Sequence, residues 1–291
     1  MSVIVVRDVP RLPRRAHDGH KGTYGKVLVV AGSRGMSGGA VLCGRAALRS
    51  GAGIVQVASP ADSQAVIAAS YPGYTTFGIR QHADGTFGDG TVEEVLELAH
   101  AADVVALGPG LGRATGTVAF TRRVLEELRE TPLVLDADGL FAVSPFLDEF
   151  EGRPAAFVMT PHPTEFARLT GVPAPKTDRE REDQAVAFAG RYGGVMLLKG
   201  AATLVADGTH LYRNTTGNPG MATGGSGDVL TGVIAALIAL GLGAFDAAVL
   251  GAWVHGRAGD LGAAVLGQTS LNATDVLDYL PAVFKELESH W

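Results

Sequence analysis

Six short runs of the chain are apolar at nearly every position rather than at alternate positions. A strand that alternates apolar and polar residues has one solvated face, whereas a continuously apolar strand is buried on both faces, as in a parallel sheet. The runs therefore predict strands at residues 26–31, 54–58, 103–107, 133–136, 156–159 and 195–198. Of all the features of the sequence, this pattern excludes the most fold classes.

Segments of helical length separate these runs. They predict helices at residues 37–50, 92–102, 115–130 and 178–191. The alternation predicts an α/β fold, a three-layer αβα sandwich with a mostly parallel central sheet. An Asp-Gly pair divides residues 202–214 into two strand-like halves, which predicts a hairpin. Two long helices are predicted at residues 227–240 and 245–264, and residues 1–291 are predicted to form a single domain without linkers or repeats.

The charge and cysteine content argue against several classes of partner. The formal net charge is −6, and no basic run occurs beyond residues 11–15. Nucleic-acid binding and attachment to anionic membranes both require a basic surface, so we expect neither. The single cysteine, Cys43, excludes an intramolecular disulfide and fits a reducing compartment. Residues 1–20 lack the apolar segment of a secretion signal, and we therefore expect a cytoplasmic protein.

Residues 229–245 carry no charge, which raises the question of a membrane span. The segment contains Thr231 and three glycines, has Asp228 and Asp246 at its two ends, and lacks a basic flank. We therefore expect a helix that is buried on all sides within an α/β core rather than a helix that crosses a bilayer.

Glycine is concentrated in the segments that follow the predicted strands, where ligands bind in open α/β sheets. "GSRGMSGGA" follows the first run and "GPGLGR" the third, while "TPHPTE" and "KGAAT" follow the fifth and the sixth. Another glycine-rich segment, "NPGMATGGSGDVLTG" at residues 218–232, leads directly into the uncharged run. Glycine is costly to order inside a regular element, so its concentration here calls for a functional explanation.

The letters "GGSG" predict a phosphate cradle, formed by Gly224, Gly225, Ser226 and Gly227. Backbone N–H groups of glycine can approach an anion closely, and a helix beginning here would direct its free N–H groups at the same point. Asp228 would then lie beside the phosphate, where a carboxylate can accept a proton from an attacking hydroxyl. The alternative is that Asp228 is only a helix N-cap. Neither a P-loop motif nor a dinucleotide fingerprint is present, so a nucleotide must be held in another way.

Taken in order, these motifs resemble the NAD(P)H-hydrate dehydratases of the ribokinase-like superfamily. The resemblance rests on "KGTYGKVLVVAGS", "GPGLGR", "LDADGL", "TPHPTEFARLTG", "LLKG", "NPGMATGGSGDVLTG" and "AWVHGRAGD". It implies a lyase that converts the S form of hydrated NADH or NADPH (NADHX, NADPHX) to NAD(P)H. In the same reaction ADP is converted to AMP and phosphate, and Mg²⁺ is the implied cofactor. Some members use ATP, and many carry an amino-terminal epimerase domain. No segment here could hold that domain, which favours a stand-alone, ADP-dependent form.

The resemblance also implies roles for individual positions. It implies contacts with the hydrated dinucleotide for Ala40, Gly110, His162 and Asp228, and contacts with the AMP part of the nucleotide for Lys199, Gly200, Ala201, Ala202, Thr203 and Gly227. Asp228 resembles the catalytic aspartate of the ribokinase-like kinases. Glu165 lies where those kinases keep an acidic residue that organises Mg²⁺ through water.

Several of these assignments have a plain structural alternative. His162 could be a solvated loop residue, and Glu165 could be an acid stabilised by a helix N-terminus. Lys199 follows a buried strand, so its charge requires an anion, and a phosphate meets that need. Asp136 and Asp138 could reach the ligand, but one of them is expected to cap the turn that follows. No role in the site is assigned to Lys21 and Tyr24, and Cys43 is assigned to packing.

Two other functions use the same loops. A ribokinase-like kinase for a vitamin precursor, such as a thiazole or pyrimidine alcohol, would need the same glycines and aspartate, but "TPHPTE" and "GPGLGR" argue against it. A nucleotide-sensing protein without turnover is disfavoured by the intact aspartate. Small-molecule substrates and a homotetramer are the partners that the resemblance implies.

Overall fold

The computed structural model describes residues 3–151, 156–173, 175 and 177–289. Within these residues one sheet contains ten strands: β1 Ile4–Val6, β2 Lys26–Val30, β3 Ile54–Pro60, β4 Thr75–Ile79, β5 Val104–Leu107, β6 Leu133–Leu135, β7 Phe157–Met159, β8 Val195–Leu198, β9 Leu204–Ala206 and β10 His210–Arg213. The same residues form ten α-helices: α1 Ser37–Arg49, α2 Ala61–Ser70, α3 Val92–His100, α4 Thr115–Glu127, α5 Ala137–Val143, α6 Pro163–Thr170, α7 Asp178–Tyr192, α8 Ser226–Ala239, α9 Ala244–Leu266 and α10 Ala273–Glu288.

The sheet is mostly parallel, as predicted. Its strands lie in the order β1-β10-β9-β8-β7-β6-β5-β2-β3-β4. The exception to parallel pairing is β9, which runs antiparallel to both β8 and β10. The predicted hairpin is the β9–β10 pair, and Gly208 in its turn has a φ of +88°, which glycine adopts without strain.

Helices cover both faces of the sheet, and the side chains of each strand divide between two cores. In β2, Val27 and Val29 enter a core shared with α1, α8, α9 and α10, while Leu28 and Val30 enter a core shared with α3, α4 and α7. Successive residues of the strand are apolar because each one meets a helical layer. The predicted three-layer αβα sandwich is therefore confirmed.

The uncharged run at residues 229–245 divides between two helices. Every residue of α8 from Val229 to Ile238 is buried, which confirms the prediction of a helix enclosed by the core. The helix ends at Ala239, and Gly241, with a φ of +95°, turns the chain before α9 begins. Among the described residues, no helix is long and apolar enough to cross a membrane.

The structure contains elements that the sequence patterns did not predict, among them β1, β4 and α10. β1 lies in a short apolar run at residues 3–6 that was not assigned to a strand, and it is largely exposed. β4 is partly exposed with a glycine at its fourth position, so it gives no continuous apolar run. α10 contains Pro281, a residue that predicts the end of a helix when it is met in a sequence. These elements lie outside the loops that form the candidate site.

Candidate active site

Helix α8 begins at Ser226, with Gly225 as its N-cap residue. Gly225 has a φ of +88°, and a Cβ atom there would lie 2.6 Å from the Leu42 side chain, so the position requires glycine. Nothing lies within 4 Å of a Cβ atom built on Gly224, so the phosphate cradle borders open space. No side-chain hydrogen bond caps the helix, and the Ser226 N–H donates to the Thr223 carbonyl over 3.4 Å. The N–H groups of Gly227 and Asp228, which follow in the first turn, are the ones that could meet an anion.

Asp228 is the third residue of α8 and not its N-cap, so the interpretation of this residue as only a cap is wrong. Its carboxylate lies against the first turn of α1, where a Cβ atom on Gly39 would be 3.2 Å from Oδ2. Burial, and next the negative charge of Asp136, raise the pKa of Asp228 to about 7, although Lys199 acts in the opposite direction. A carboxylate with this pKa can accept a proton near neutral pH and release it again, as a general base must.

An ion pair between Lys199 and Asp136 lies beneath the phosphate cradle. Lys199 follows β8, and its Nζ donates to Oδ1 of Asp136 over 2.7 Å. From α8, the hydroxyl of Thr231 donates to Oδ2 of the same carboxylate, also over 2.7 Å. Asp136 is 1% exposed, and this burial opposes ionisation, but the lysine charge and the hydrogen bonds outweigh it and lower the pKa of Asp136. The lysine Nζ lies 3.0 Å from the Cβ position of Gly227, so the positive charge is directly under the cradle.

The two aspartates of "LDADGL" do not cap the turn that follows, and the prediction that one of them does is wrong. Asp136 occupies the N-cap position of α5, but its side chain makes no cap hydrogen bond and contacts Lys199 instead. Asp138 accepts hydrogen bonds from the Gly112 N–H over 3.0 Å and from Nε of Arg113 over 2.7 Å, so it fixes the "GPGLGR" loop. Lys199 is paired with an anion, as the sequence predicted, and in this structure the anion is the buried carboxylate of Asp136.

His162 and Glu165 form a capping box at the start of α6. Nδ1 of His162 accepts from the N–H groups of Thr164 and Glu165, and Oε2 of Glu165 accepts from the His162 N–H over 2.8 Å. Glu165 is 6% exposed, so its structural role is that of an acid in the first turn of the helix. His162 is a helix cap rather than a freely solvated loop residue; its ring is half-exposed, and its Nε2 lies 3.5 Å from Oε1 of Glu165.

Ala40 and Gly110 lie where α1 meets the "GPGLGR" loop. Ala40 is fully buried, and its methyl group lies 3.3 Å from the Cβ position of Gly32. Gly110 has a φ of +64°, and a Cβ atom there would lie 2.5 Å from the carbonyl oxygen of Met36. Pro109 of the same loop lies 3.2 Å from the Cβ position of Gly39, the glycine that also borders the carboxylate of α8. The loop therefore reaches the amino-terminal end of α8.

Residues 199–203 form a turn between β8 and β9, and a side chain of helix α7 is hydrogen-bonded to this turn. Gly200 and Ala202 both have positive φ angles, of +145° and +51°. Nη1 of Arg181 donates to the Ala201 carbonyl over 3.1 Å, and the Thr203 hydroxyl donates to the Gly200 carbonyl over 3.1 Å. Arg181 was not predicted from the sequence, because nothing near it in the chain indicates a contact with this turn.

Lys21 and Tyr24 form a short helical turn before β2, at the end of the sheet away from the phosphate cradle. The Tyr24 hydroxyl donates to the Ala16 carbonyl over 3.0 Å, and the Arg15 guanidinium lies 3.7 Å from the centre of the tyrosine ring. These contacts fix the amino-terminal segment on the body of the protein. In this structure Tyr24 therefore has a structural role.

The sequence model of the NAD(P)H-hydrate dehydratase family matches residues 27–282. The chain belongs to this family. The match includes the phosphate cradle, the buried ion pair beneath it and the loops that border Asp228. The family predicted from the sequence is confirmed.

Named relatives and a solved structure agree with this assignment. A bifunctional NAD(P)H-hydrate repair enzyme of Moorella thermoacetica is 44% identical over 96% of this chain and 52% of its own length, so this chain spans about half of that relative. The ADP-dependent (S)-NAD(P)H-hydrate dehydratase of Neisseria meningitidis is 38% identical over 85% of this chain and 80% of its own length. The crystal structure of the ADP/ATP-dependent NAD(P)H-hydrate dehydratase from Bacillus subtilis, co-crystallized with ATP/Mg²⁺, gives a TM-score of 0.82 at 31% identity and covers 95% of both chains.

Gly227→Ala is expected to weaken ADP binding about tenfold or more, which corresponds to roughly 1.4 kcal/mol of binding free energy. The new methyl group would lie 3.0 Å from Nζ of Lys199, so it would displace the ammonium group and narrow the phosphate cradle. Calorimetric titration with ADP measures the effect. Gly90→Ala is the matched control, because its methyl group would meet nothing within 4 Å and lies outside the site. Equal affinity in the two variants would mean that Gly227 serves only the helix turn.

Proposed function

We propose that this chain dehydrates the S form of NADHX and NADPHX with ADP as co-substrate, and that it releases NAD(P)H, AMP and phosphate. The observation that carries the proposal is Asp228, a partly buried carboxylate with a pKa of about 7 in the first turn of the helix that forms the phosphate cradle. A general base beside an anion-binding helix terminus fits the attack of a hydroxyl on a phosphoryl group. Membership of the dehydratase family supports hydrated NAD(P)H as the source of that hydroxyl.

The chemistry needs two steps because hydroxide is a poor leaving group near neutral pH. In the first step, Asp228 accepts the proton of the C6 hydroxyl while the C6 oxygen bonds to the terminal phosphorus of ADP, and the bond from that phosphorus to AMP breaks. In the second step, the lone pair of the ring nitrogen expels phosphate, and a proton leaves C5 to restore the dihydronicotinamide ring. Dehydration is thus driven by one phosphoryl transfer.

The proposed roles of the basic and glycine-rich parts follow from their charge. The N–H groups of the phosphate cradle stabilise the negative charge that develops on the transferred group. Lys199 remains charged for the same purpose: burial alone would lower its pKa, but the charges of Asp136 and Glu165 raise it. The turn at residues 199–203, together with Gly227, is assigned to the AMP part of the nucleotide.

The hydrated dinucleotide is assigned to α1, the "GPGLGR" loop and the start of α6. Ala40, which is fully buried, would support this region from below, while Gly110 would offer a surface without a side chain and His162 the exposed part of its ring. Asp228 would contact the C6 hydroxyl itself. The proposal is supported by Gly39 of α1, whose Cβ position lies 3.2 Å from both Pro109 and Oδ2 of Asp228, and by Oε2 of Glu165, which lies 4.0 Å from Nζ of Lys199.

Magnesium fits this site through phosphates and water rather than through a cage of protein ligands. The described part of the chain contains no group of three or more His, Cys, Asp or Glu side chains suited to a metal. Glu165 is buried with one oxygen bonded to a main-chain N–H, and it would orient a hydrated ion through water. Mg²⁺ commonly binds through one or two carboxylates, substrate phosphates and water, and its charge would offset that of the nucleotide phosphates.

The proposal includes a cytoplasmic location, a single domain over residues 1–291 and a homotetramer. The thiol of Cys43 is free and buried, which supports a reducing compartment. The homotetramer rests on the family resemblance. Light scattering of the purified protein tests this part, with an expected mass four times that of the chain.

Incubation of the protein with hydrated NADH, ADP and Mg²⁺ is expected to give NADH, AMP and inorganic phosphate in equal amounts. The reason is that the phosphoester lies next to a ring nitrogen able to expel it, whereas a kinase releases its phosphoester intact. NADH absorbance, phosphate release and chromatography of the nucleotides measure the three products. We expect faster turnover with ADP than with ATP.

Two outcomes of this assay would contradict the proposal. Rapid phosphorylation of a thiazole or pyrimidine alcohol, with no NADH recovered from the hydrate, would favour the vitamin-precursor kinase. Tight binding of nucleotide without any product would favour the nucleotide-sensing protein. Reactions without protein, and reactions without nucleotide, control for spontaneous dehydration.

A further inference from the structure

His255 lies in α9, against the first turn of α8, and the mechanism above does not use it. Its imidazole is 9% exposed, and Nε2 lies 3.2 Å from Oγ of Ser226, the first residue of α8. Ser226 is 8% exposed and belongs to the phosphate cradle. A buried titratable side chain therefore contacts the anion-binding end of the helix.

Burial keeps this imidazole neutral at neutral pH. It lowers the pKa of His255 to about 4, and the charge of Lys199 acts in the same direction. The 3.2 Å contact between Nε2 and Oγ of Ser226 is compatible with either direction of donation. A neutral imidazole has one N–H donor and one acceptor nitrogen, so its tautomer decides whether Nε2 or the Ser226 hydroxyl donates.

We propose that His255 is a positioning residue whose Nε2–H donates to Ser226, so that the Ser226 hydroxyl hydrogen stays free to be donated to the transferring phosphoryl group. In the other tautomer, Nε2 would accept the hydroxyl hydrogen, and only oxygen lone pairs would face the phosphate. A free hydroxyl donor adds to the N–H groups that stabilise the developing charge. This inference rests on the proposed function, because it concerns the same phosphate-binding end of α8.

The rest of the "AWVHGRAGD" motif fixes the segment that leads into the phosphate cradle. Asp260 accepts from the Gly217 N–H and from Nδ2 of Asn218, in both cases over 2.9 Å. A Cβ atom on Gly259 would lie 2.2 Å from Sδ of Met221, so this glycine allows the segment to pack closely against α9. Helix α9 therefore positions the approach to the cradle and, through its histidine, the first residue of α8.

Ser226→Ala tests the hydroxyl while it leaves the main-chain N–H groups in place. We expect the turnover number to fall about 10²-fold, comparable to the loss of one hydrogen-bond donor to a developing anion. The Kd for ADP, measured by calorimetry, should stay close to that of the wild type, because the hydroxyl acts mainly in the transition state. An unchanged turnover number would overturn the inference.

Nitrogen NMR of protein labelled with ¹⁵N-histidine tests the tautomer without any turnover. The signals of His255 are identified by their absence from the spectrum of His255→Gln. We expect a protonated Nε2 and an unprotonated Nδ1 at neutral pH, and a proton on Nδ1 or a charged ring would overturn the inference. If the wild-type protein releases no phosphate from the hydrate, the proposed function fails, and the NMR result still decides on the inference separately.

Discussion

Asp228→Asn is expected to lower the turnover number about 10²–10⁴-fold, which is the usual contribution of a positioned general base. Asparagine has nearly the same shape as aspartate but cannot accept the hydroxyl proton. ADP binding should remain close to that of the wild type, because the phosphate cradle and Lys199 are unchanged. Steady-state assays with hydrated NADH, together with calorimetric titration with ADP, measure the two effects. Near-normal turnover would mean that another group removes the proton.

The pH dependence of the wild type tests the same carboxylate. Because the pKa of Asp228 is about 7, the turnover number should rise as the pH is raised through 7 and then level off. The free energy of unfolding follows the opposite trend. The pKa of Asp228 in the folded protein is above its unfolded value of about 3.9. The contribution of this carboxyl group to stability is therefore complete at low pH and is lost as the pH rises through 7. Asp228→Asn should therefore melt at a higher temperature than the wild type at high pH, and the difference should shrink towards the unfolded pKa. This comparison also confirms that the variant is folded.

Lys199→Met is expected to lower the free energy of unfolding by about 3–5 kcal/mol, the usual cost of removing one partner of a buried ion pair. Asp136 is 1% exposed, and the variant leaves its charge without the ammonium group that lies 2.7 Å away in the wild type. Methionine keeps the length and most of the packing of the lysine side chain. Urea unfolding followed by circular dichroism measures the loss.

Two further variants separate the ion pair from other effects. Lys199→Met combined with Asp136→Asn removes both charges and should recover part of the lost stability, because no unpaired charge remains buried. Arg179→Met removes a cation whose side chain is 91% exposed, from a pair with Asp183 at 3.8 Å, and should cost less than about 1 kcal/mol. Equal small losses in Lys199→Met and Arg179→Met would contradict the proposed burial of the pair.

The parts of the site that the sequence predicted are those with local signals. Three glycines within four residues, followed by an aspartate and an apolar run, predicted a helix terminus open to an anion, and the structure begins α8 at Ser226. Lys199 was predicted to need an anion because a charge follows directly on an apolar strand. In each case the inference depends on neighbouring residues in the chain.

The parts that the sequence did not predict join residues that are distant in the chain. Asp136, Lys199 and Thr231 meet only because β6, β8 and α8 converge on one end of the sheet. The contact of Ser226 with His255 likewise depends on the packing of α9 against α8. No spacing within the chain indicates these contacts, so the side-chain partners of the site emerged only from the folded structure.

The fold was predicted where strands are buried on both faces and missed at the edges of the sheet. The continuous apolar runs gave β2, β3, β5, β6, β7 and β8, which lie between other strands. β1 and β4 are the two edge strands, and an edge strand has less buried surface, so its sequence is less constrained. Partial exposure explains why β4 has no continuous apolar run, whereas β1 is apolar although Ile4 and Val5 are exposed.

Because α8 is enclosed by the core, substitutions that change substrate specificity are expected to occur elsewhere in the chain. A helix whose residues from Val229 to Ile238 are all buried cannot shift without displacing close-packed neighbours, so its phosphate-handling end is held in place by the interior. The region assigned to the alcohol is formed instead by loops, which accept substitution and insertion more readily than packed elements do. Under the proposed function, natural variation in these loops can alter which alcohol is bound while the phosphate cradle on α8 stays unchanged.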